Sequence, residues 1–328
     1  MPYDRSAFVT RTPQEDIAFD FMVDASAYVA DKLFAPKPVD KADKKFYQVD
    51  LSKLKLVNID KGTMAEPDTV DEQLFASNVS LKEKKLGGWV NPRDERDADI
   101  KSLLGDARKI KQITNQILIG REYQAAALVT NTANYPTALT SAIASGSRWN
   151  EAGGDPEADI ITAQEAVRNY IGGGVTPCNA IVMDIACFRK LQTSPNLRTR
   201  TMYTKAGPVP QELVQAYLGV DHLFISTGRY SAKLEGIAES LGGFYGADNV
   251  VLFKYNPSVA LEDVSFGVMA LMDSPFWVTV TPDPKRMGPA GPARFVQVGS
   301  EWALAPGMVE SSSSTKFAAG YLLRTVVA

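Results

Sequence analysis

Residues 91–129 read NPRDERDADIKSLLGDARKIKQITNQILIGREYQAAALV, and this stretch decides the fold. Asn91 suits a helix cap, Pro92 suits the first turn, and the acidic residues that follow suit the positive end of a helix dipole. A continuous helix here would be on the order of 55 Å long, so we expect a flat or elongated partner beside it. The apolar residues recur at steps of three and four and form one stripe: Ile100, Leu103, Leu104, Ala107, Ile110, Ile113 and Ile117.

Two glycines in this stretch allow a second interpretation, because Gly105 or Gly120 could divide it into two ordinary helices. We expect one helix, since an interior glycine costs only about 1 kcal/mol and the stripe stays in phase through Gly105. Three consecutive alanines at 125–127 make the end apolar on all sides. That feature favours burial under a sheet over a coiled coil.

Composition and charge bound the class of protein. The chain has 328 residues, enough for two or three domains, and its 45% hydrophobic and 22% charged residues are ordinary for a globular protein. The 35 Lys and Arg against 38 Asp and Glu provide no basic field, which argues against a DNA-binding protein. Cys178 and Cys187 lack a CxxC spacing, so we expect buried thiols in a reducing compartment. We find neither a signal-peptide pattern nor an apolar run long enough for a bilayer, and expect no membrane partner.

The front of the chain predicts an arm and a hairpin. An amphipathic helix is expected over residues 12–34. Residues 35–46, APKPVDKADKKF, are too polar and proline-rich for a core, so we expect that helix to dock on something distant or on a neighbouring subunit. Residues 46–59 and 74–90 have extended character and predict a long two-stranded hairpin. It is either an ordinary surface hairpin or an arm that completes a sheet or rests on another subunit.

The rest of the chain changes character twice. Residues 155–256 alternate helices with short apolar strands such as NAIVMD, and Asp184 can cap the helix that follows, which predicts a compact α/β domain. From Val264 onward the sequence predicts strands separated by Pro, Gly and Ser runs. That sheet could lie on the long helix, which would make its domain discontinuous in sequence.

A search for catalytic residues finds none, so we predict no catalytic, cofactor-binding or metal-binding residue, no cofactor and no enzyme. His222 is the single histidine and is interpreted as structural. The glycines 172–174 follow a helix and precede a strand, the reverse of a phosphate loop, and are interpreted as a helix stop. A small basic cluster is interpreted as a solvated face because Glu83 interrupts it: Lys82, Lys84 and Lys85.

Residues 149–255 carry the most specific resemblance. They contain, in order, RWNEAGGDPEADI, PCNAIVMDIACFRKLQTSPNLRTRTMY, LVQAYLGVDHLFIS and NVVLFKYNPS. Upstream lie LFAPKPVDKADKKFYQ, at the end of the arm, and GREYQAAALV, at the end of the long helix. In order and spacing the chain resembles the major capsid proteins of tailed bacteriophages, which have the shell fold named after phage Hong Kong 97.

The resemblance implies an α+β fold with an N-terminal arm (1–45), an extended loop (46–90), a peripheral domain with the long spine helix and a β-sheet (91–150 and 260–328) and an α/β axial domain (151–259). It also implies self-assembly into pentamers and hexamers of an icosahedral head around double-stranded DNA, which is packaged without sequence-specific binding. A scaffolding protein and a portal are the other expected partners. The chain would be assembled in the host bacterial cytoplasm and end in the virion.

Two alternatives remain at this point. An encapsulin, a cellular compartment that holds cargo enzyme, would share the fold. An enzyme with a site assembled between subunits would escape motif analysis. Some capsid proteins of this family also form a covalent cross-link between a loop lysine and a distant asparagine. Lys61 lies near the predicted loop tip, but no partner asparagine can be matched, so no such bond is predicted.

Overall fold

The structure is a computed structural model that describes residues 28–39, 43–50, 74–90, 103–171, 178–201, 209–231, 241–257, 265–272, 275–288, 291–311 and 314–328. The helices in these ranges are α1 (Ala30–Leu33), α2 (Leu103–Val129), α3 (Pro156–Ile171), α4 (Ile185–Gln192), α5 (Pro195–Thr201) and α6 (Gln211–Leu218). The strands are β1 (Phe34–Val39), β2 (Asp43–Asp50), β3 (Leu74–Ser80), β4 (Lys82–Val90), β5 (Thr140–Ala142), β6 (Ala180–Asp184), β7 (His222–Ser226), β8 (Arg229–Ser231), β9 (Leu241–Gly243), β10 (Val250–Phe253), β11 (Gly267–Met272), β12 (Trp277–Gly288), β13 (Gly291–Pro306), β14 (Met308–Ser311), β15 (Ser314–Phe317) and β16 (Gly320–Arg324).

The long helix α2 runs without interruption from Leu103 to Val129. It passes through both Gly105 and Gly120, so the prediction of one continuous helix is confirmed over this range. Its 27 residues span about 40 Å at 1.5 Å per residue. The predicted start at Asn91 lies outside the described residues.

The apolar stripe of α2 packs against a sheet, as predicted. Ile110, Ile113 and Ile117 are buried, and the helix contacts strands β4 and β13. Burial of each of these side chains stabilises the folded state by roughly 1.5–3 kcal/mol. An ion pair between Arg294 Nε on β13 and Asp106 Oδ1 on α2, 3.1 Å apart, fixes the register of the helix on the sheet.

Strand β13 is the centre of this five-stranded sheet. β4 pairs antiparallel with one side of β13, and β12 and β11 pair antiparallel with successive parts of the other side. β1 pairs parallel with β11 and forms the outer strand. Strands from the front and the last third of the chain therefore share one sheet, which lies on α2.

The prediction that residues 35–46 are too polar and proline-rich to join a core is wrong for β1. Ala35 and Val39 are buried, and the whole strand pairs with β11. Because β1 is an edge strand, the missing N–H groups of Pro36 and Pro38 can face away from the ladder without loss of a hydrogen bond.

The predicted hairpin is present as the antiparallel pair of β2 and β3. The second extended stretch is divided at Leu81, where β3 stays with β2 and β4 crosses to the sheet on α2. β2 also pairs parallel with β14, and β14 pairs with β15, which gives a four-stranded sheet. The base of the hairpin therefore completes a sheet of its own chain. Residues 51–73 lie outside the described residues.

The α/β arrangement predicted for residues 155–256 is confirmed in its main elements. β6 pairs parallel with β7 and antiparallel with β10. Asp184 caps α4, and its Oδ1 accepts the N–H of Ala186 at 2.8 Å. Gly219 ends α6 in the left-handed conformation, at φ 64°. All five residues of β6 are buried, as expected of a central strand covered by helices. The predicted helix stop at 172–174 lies outside the described residues.

Two strands from other parts of the chain extend this second sheet, whose order is β5-β16-β10-β6-β7. β16 pairs antiparallel with β10, although residues 320–324 are grouped above with the peripheral segments. The first four residues of β16 are buried, so the strand needs cover on both faces, which the α/β layer provides. The division of the chain into four regions stays a prediction.

Candidate functional site

The described residues hold no group of three or more His, Cys, Asp and Glu side chains placed to bind a metal ion. His222 is exposed at the start of β7, where its ring stacks on Phe224 with a centroid distance of 5.9 Å. Cys178 and Cys187 are buried free thiols, as predicted. Burial raises the pKa of each to about 12, so neither is a thiolate nucleophile at neutral pH. No helix of the described ranges has the length and apolarity that a membrane span needs.

The three lysines of β4 lie on two different faces because strand side chains alternate. Lys85 lies on the outer face, where its Nζ is 3.4 Å from the Glu83 carboxylate. Lys82 and Lys84 share the opposite face. The prediction of a solvated face is confirmed for Lys82 and Lys85, which are exposed, and is wrong for Lys84, which is partly buried.

Lys82 and Lys84 line a groove with a volume of about 730 Å³, which we call the spine groove. It lies between the junction of β3 and β4, the last turns of α2 and the end of β13. Its walls include Ala127 and Leu304. The predicted burial of this end of α2 holds for Ala125 and Ala126, whereas Ala127 is exposed. The volume falls within the roughly 300–1,000 Å³ typical of ligand sites.

The floor of the spine groove combines a cation with a buried indole. Lys84 Nζ lies 4.0 Å from the ring centroid of Trp302, a cation–π contact, and donates a long hydrogen bond of 3.5 Å to its carbonyl oxygen. Desolvation, followed by the charge of Lys82, lowers the pKa of Lys84. Trp302 is only 2% exposed, and its indole N–H has no acceptor in the described ranges. Tyr123 on the rim is 48% exposed, large for an aromatic side chain.

A second polar cluster joins the start of the described chain to α2, and we call it the arm junction. Of the helix predicted over 12–34, the described part is α1 (Ala30–Leu33). The Glu122 carboxylate on α2 accepts the backbone N–H groups at the start of α1: Val29 N lies 3.1 Å from Oε1, and Ala30 N lies 2.8 Å from Oε2. The hydroxyl of Tyr245 donates to Glu122 Oε1 at 2.8 Å. One carboxylate thus holds two segments that are distant in sequence.

Burial controls the charge of the arm junction. Glu122 is 1% exposed, and desolvation raises its pKa from 4.5 to about 7, against the three hydrogen bonds that lower it. The neighbouring cation does not offset this, because the Arg121 guanidinium is paired with Asp31 at 2.9 Å. Asp31 raises the pKa of Glu122 further. Glu122 therefore titrates in the neutral range.

The sequence offers a weak signal for the arm junction and a weaker one for the spine groove. Arg121 and Glu122 interrupt an otherwise apolar helix end, and a charged pair in that position indicates buried partners. The role of Trp302 has no local signal, because the partners of an indole on β13 are set by strands far away in sequence.

The segment RWNEAGGDP that carries the resemblance forms a tight turn around the buried Trp149. Trp149 is fully buried, its indole N–H donates to Asp159 Oδ2 at 2.8 Å, and its backbone N–H donates to the Val326 carbonyl at 2.7 Å. At Gly154, a Cβ atom would lie 2.1 Å from the carbonyl oxygen of Arg148. Only glycine permits this backbone approach.

Two solved structures share this architecture. A phage-related protein from Bordetella bronchiseptica aligns with a TM-score of 0.75 at 21% identity, over 97% of this chain and 98% of that one. The capsid structure of cyanophage P-SCSP1u aligns with a TM-score of 0.56 at 11% identity, over 91% of this chain and 88% of that one. The chain has the Hong Kong 97-type shell fold of phage capsids, so the predicted α+β class and fold are confirmed.

Sequence comparison gives a more particular likeness. The major capsid protein of Burkholderia phage BcepMu is 20% identical over 226 residues, which cover 69% of this chain and 70% of that protein. This relative confirms the resemblance to phage major capsid proteins that the sequence shows. No family model matches the chain.

Proposed function

We propose that this chain is the coat protein of a phage head, which self-assembles into pentamers and hexamers of an icosahedral shell around double-stranded DNA. The observation that carries the proposal is the shell fold, matched over nearly the whole chain by a phage-related protein and by a cyanophage capsid. The similarity to a phage major capsid protein supports it independently of structure. Within this proposal the chain is structural and has no catalytic role.

The proposed regions keep the boundaries given above: arm 1–45, extended loop 46–90, peripheral domain 91–150 with 260–328, and axial domain 151–259. The contact of α2 with β4 and β13 supports the discontinuous peripheral domain. The arm junction supports the proposed arm, because Glu122 holds arm residues Val29 and Ala30 against α2. Heterologous contacts that close on themselves would give rings, and the arm and loop would link them.

The proposed partners follow from the same role. The formal net charge of −3 suits a container, since a strongly basic lining would hold the genome tightly. DNA would therefore be enclosed without sequence-specific binding. A separate scaffolding protein and a portal would take part in assembly in the host bacterial cytoplasm, and the finished chain would be in the virion.

Nuclease protection tests the cargo. Particles purified from their natural source are treated with nuclease, opened and assayed for DNA. We expect protected double-stranded DNA of uniform length, because the shell encloses a packaged genome. Particles that hold a single enzyme and no protected DNA would instead identify a cellular compartment of the encapsulin type.

Deletion of residues 59–73 tests the extended loop. This polar, turn-rich stretch has little apolar surface to bury, so its removal is expected to leave a soluble, folded chain that forms no closed shells. Circular dichroism and the Tm serve as the folding control, and negative-stain microscopy scores the shells. Normal particles from the deletion variant would show that the loop is not needed for assembly.

A further inference from the structure

The spine groove presents two lysines without a carboxylate partner, and one buried donor without an acceptor, among the residues that the structure describes. Within the described residues, neither Lys82 nor Lys84 has a carboxylate within 4.0 Å, although Lys85 on the other face is paired with Glu83. Two like charges on neighbouring positions of one strand face repel each other. No acceptor from the part of the chain that the structure describes reaches the buried indole N–H of Trp302. An unsatisfied buried donor costs about 1–3 kcal/mol, so an acceptor that enters the groove would recover that energy.

These groups define the chemistry of an occupant. It must bring carboxylates to the two lysines and an oxygen acceptor toward the indole. It must also bring apolar side chains, because Ala127, Leu304 and the exposed Tyr123 line the remaining surface. An acidic peptide segment with interspersed apolar residues meets all three requirements.

The chain itself contains such a segment at residues 14–24, QEDIAFDFMVD. It includes no lysine or arginine. Its carboxylates are Glu15, Asp16, Asp20 and Asp24, and its large apolar residues are Ile17, Phe19, Phe21, Met22 and Val23. Another acidic stretch, MAEPDTVDE at 64–72, has no aromatic residue and fits the apolar wall less well.

The position of the arm junction leaves the groove within reach of this segment from the same chain or from another molecule. Residues 28–30 are held by Asn115 and Glu122 on one face of α2. At 3.6 residues per turn, the groove residues Tyr123 and Gln124 lie about 100° and 200° around the helix from Glu122, and ring contacts through Phe244 and Tyr230 connect Tyr28 with Tyr123. The proposed shell function favours a second copy as the source, because a shell brings neighbouring subunits into contact.

We propose that the spine groove binds residues 14–24 of a second copy of this chain, with the carboxylates of that segment paired with Lys82 and Lys84. The proposal rests on the proposed shell function, to which it adds the residues of one contact between subunits. The contact would explain why a partly buried Lys84 lies over Trp302 without a carboxylate from the described part of its own chain.

Chains with one added cysteine test the contact directly. Full-length Phe19→Cys and Tyr123→Cys chains are mixed under assembly conditions and oxidised, and the product is examined by non-reducing gel and mass spectrometry. We expect a disulfide between residues 19 and 123 of different chains, because the native thiols are buried and do not compete. Ile161→Cys, at a site that is 47% exposed on α3, replaces Tyr123→Cys in the control and should give little cross-link.

Charge reversal tests the recognition. Lys82→Glu with Lys84→Glu should lower the cross-link yield roughly tenfold, the equivalent of two weak ion pairs. Adding Glu15→Lys, Asp16→Lys and Asp20→Lys to the arm-bearing chain should restore it. Absence of the 19–123 link, or a link only within one chain carrying both cysteines, would overturn the proposal. A link between soluble chains that never close into shells would retain it while contradicting the proposed function.

Discussion

Gly154→Ala is expected to destabilise the fold severely. The new Cβ would lie 2.1 Å from the Arg148 carbonyl oxygen and 2.8 Å from the Trp149 Cα, and backbone atoms cannot move aside by changing rotamer. A shift of this turn would also disturb the buried Trp149 and its hydrogen bond to Asp159. We expect a loss of at least about 3 kcal/mol, seen as a Tm lower by roughly 6–10 °C or as insoluble protein.

Gly120→Ala on α2 is the matched control. A Cβ at this position would have nothing within 4 Å, and the residue is helical. Alanine is the better helix former, so this variant should be stabler by up to about 1 kcal/mol. Equal, small effects of the two substitutions on Tm would contradict the close backbone approach at Gly154.

Glu122→Gln is expected to remove a pH-dependent cost from the arm junction. The folded-state pKa of Glu122 is raised to about 7 from 4.5. Wild-type stability from this group is therefore fully present below pH 4.5, declines as the pH rises through 7, and is lost above it. The free energy of unfolding that Glu122 contributes at low pH, and that is lost at high pH, is about 3 kcal/mol. The glutamine variant lacks this decline, so its Tm relative to wild type should rise by roughly 5–10 °C between pH 5 and pH 8.

The amide can occupy the site if it keeps the backbone hydrogen bonds and reverses the one to Tyr245. Its oxygen can accept the N–H groups of Val29 and Ala30, which lie near the same carboxylate oxygen of Glu122. Its NH₂ group can donate to the hydroxyl oxygen of Tyr245. Glu83→Gln, at the exposed pair with Lys85, is the control and should show no comparable rise. A Tm difference for Glu122→Gln that stays constant with pH would contradict the burial of its charge.

Local patterns were sufficient to predict much of the fold. The three-and-four spacing of Ile110, Ile113 and Ile117 predicts α2. Helix ends also have local signals: Asp184 caps the start of α4 with its side chain, and Gly219 ends α6 in the left-handed conformation. The pairing of β1 with β11 and of β16 with β10 could not be predicted, since pairing between distant strands leaves no local period. The prolines of β1 led to the wrong prediction that this segment stays out of the core. Only the strand order of the folded sheet shows that β1 is at an edge, where prolines are tolerated.

The two candidate sites were harder to predict than the fold. Alternation along β4 separates Lys85 from Lys84, but the sequence does not say which face α2 covers. Glu122 is visible as a charge in an apolar stretch, yet its partners Val29 and Tyr245 lie 93 and 123 residues away. Burial and partner together determine its pKa, and both are properties of the folded chain.

Assembly of the purified full-length protein is the most direct test of the central claim. Light scattering and negative-stain microscopy are applied across salt, pH and protein concentration, with and without a scaffolding protein. The account predicts rings of five and six subunits and closed particles with icosahedral symmetry. Monomers under every condition would contradict it.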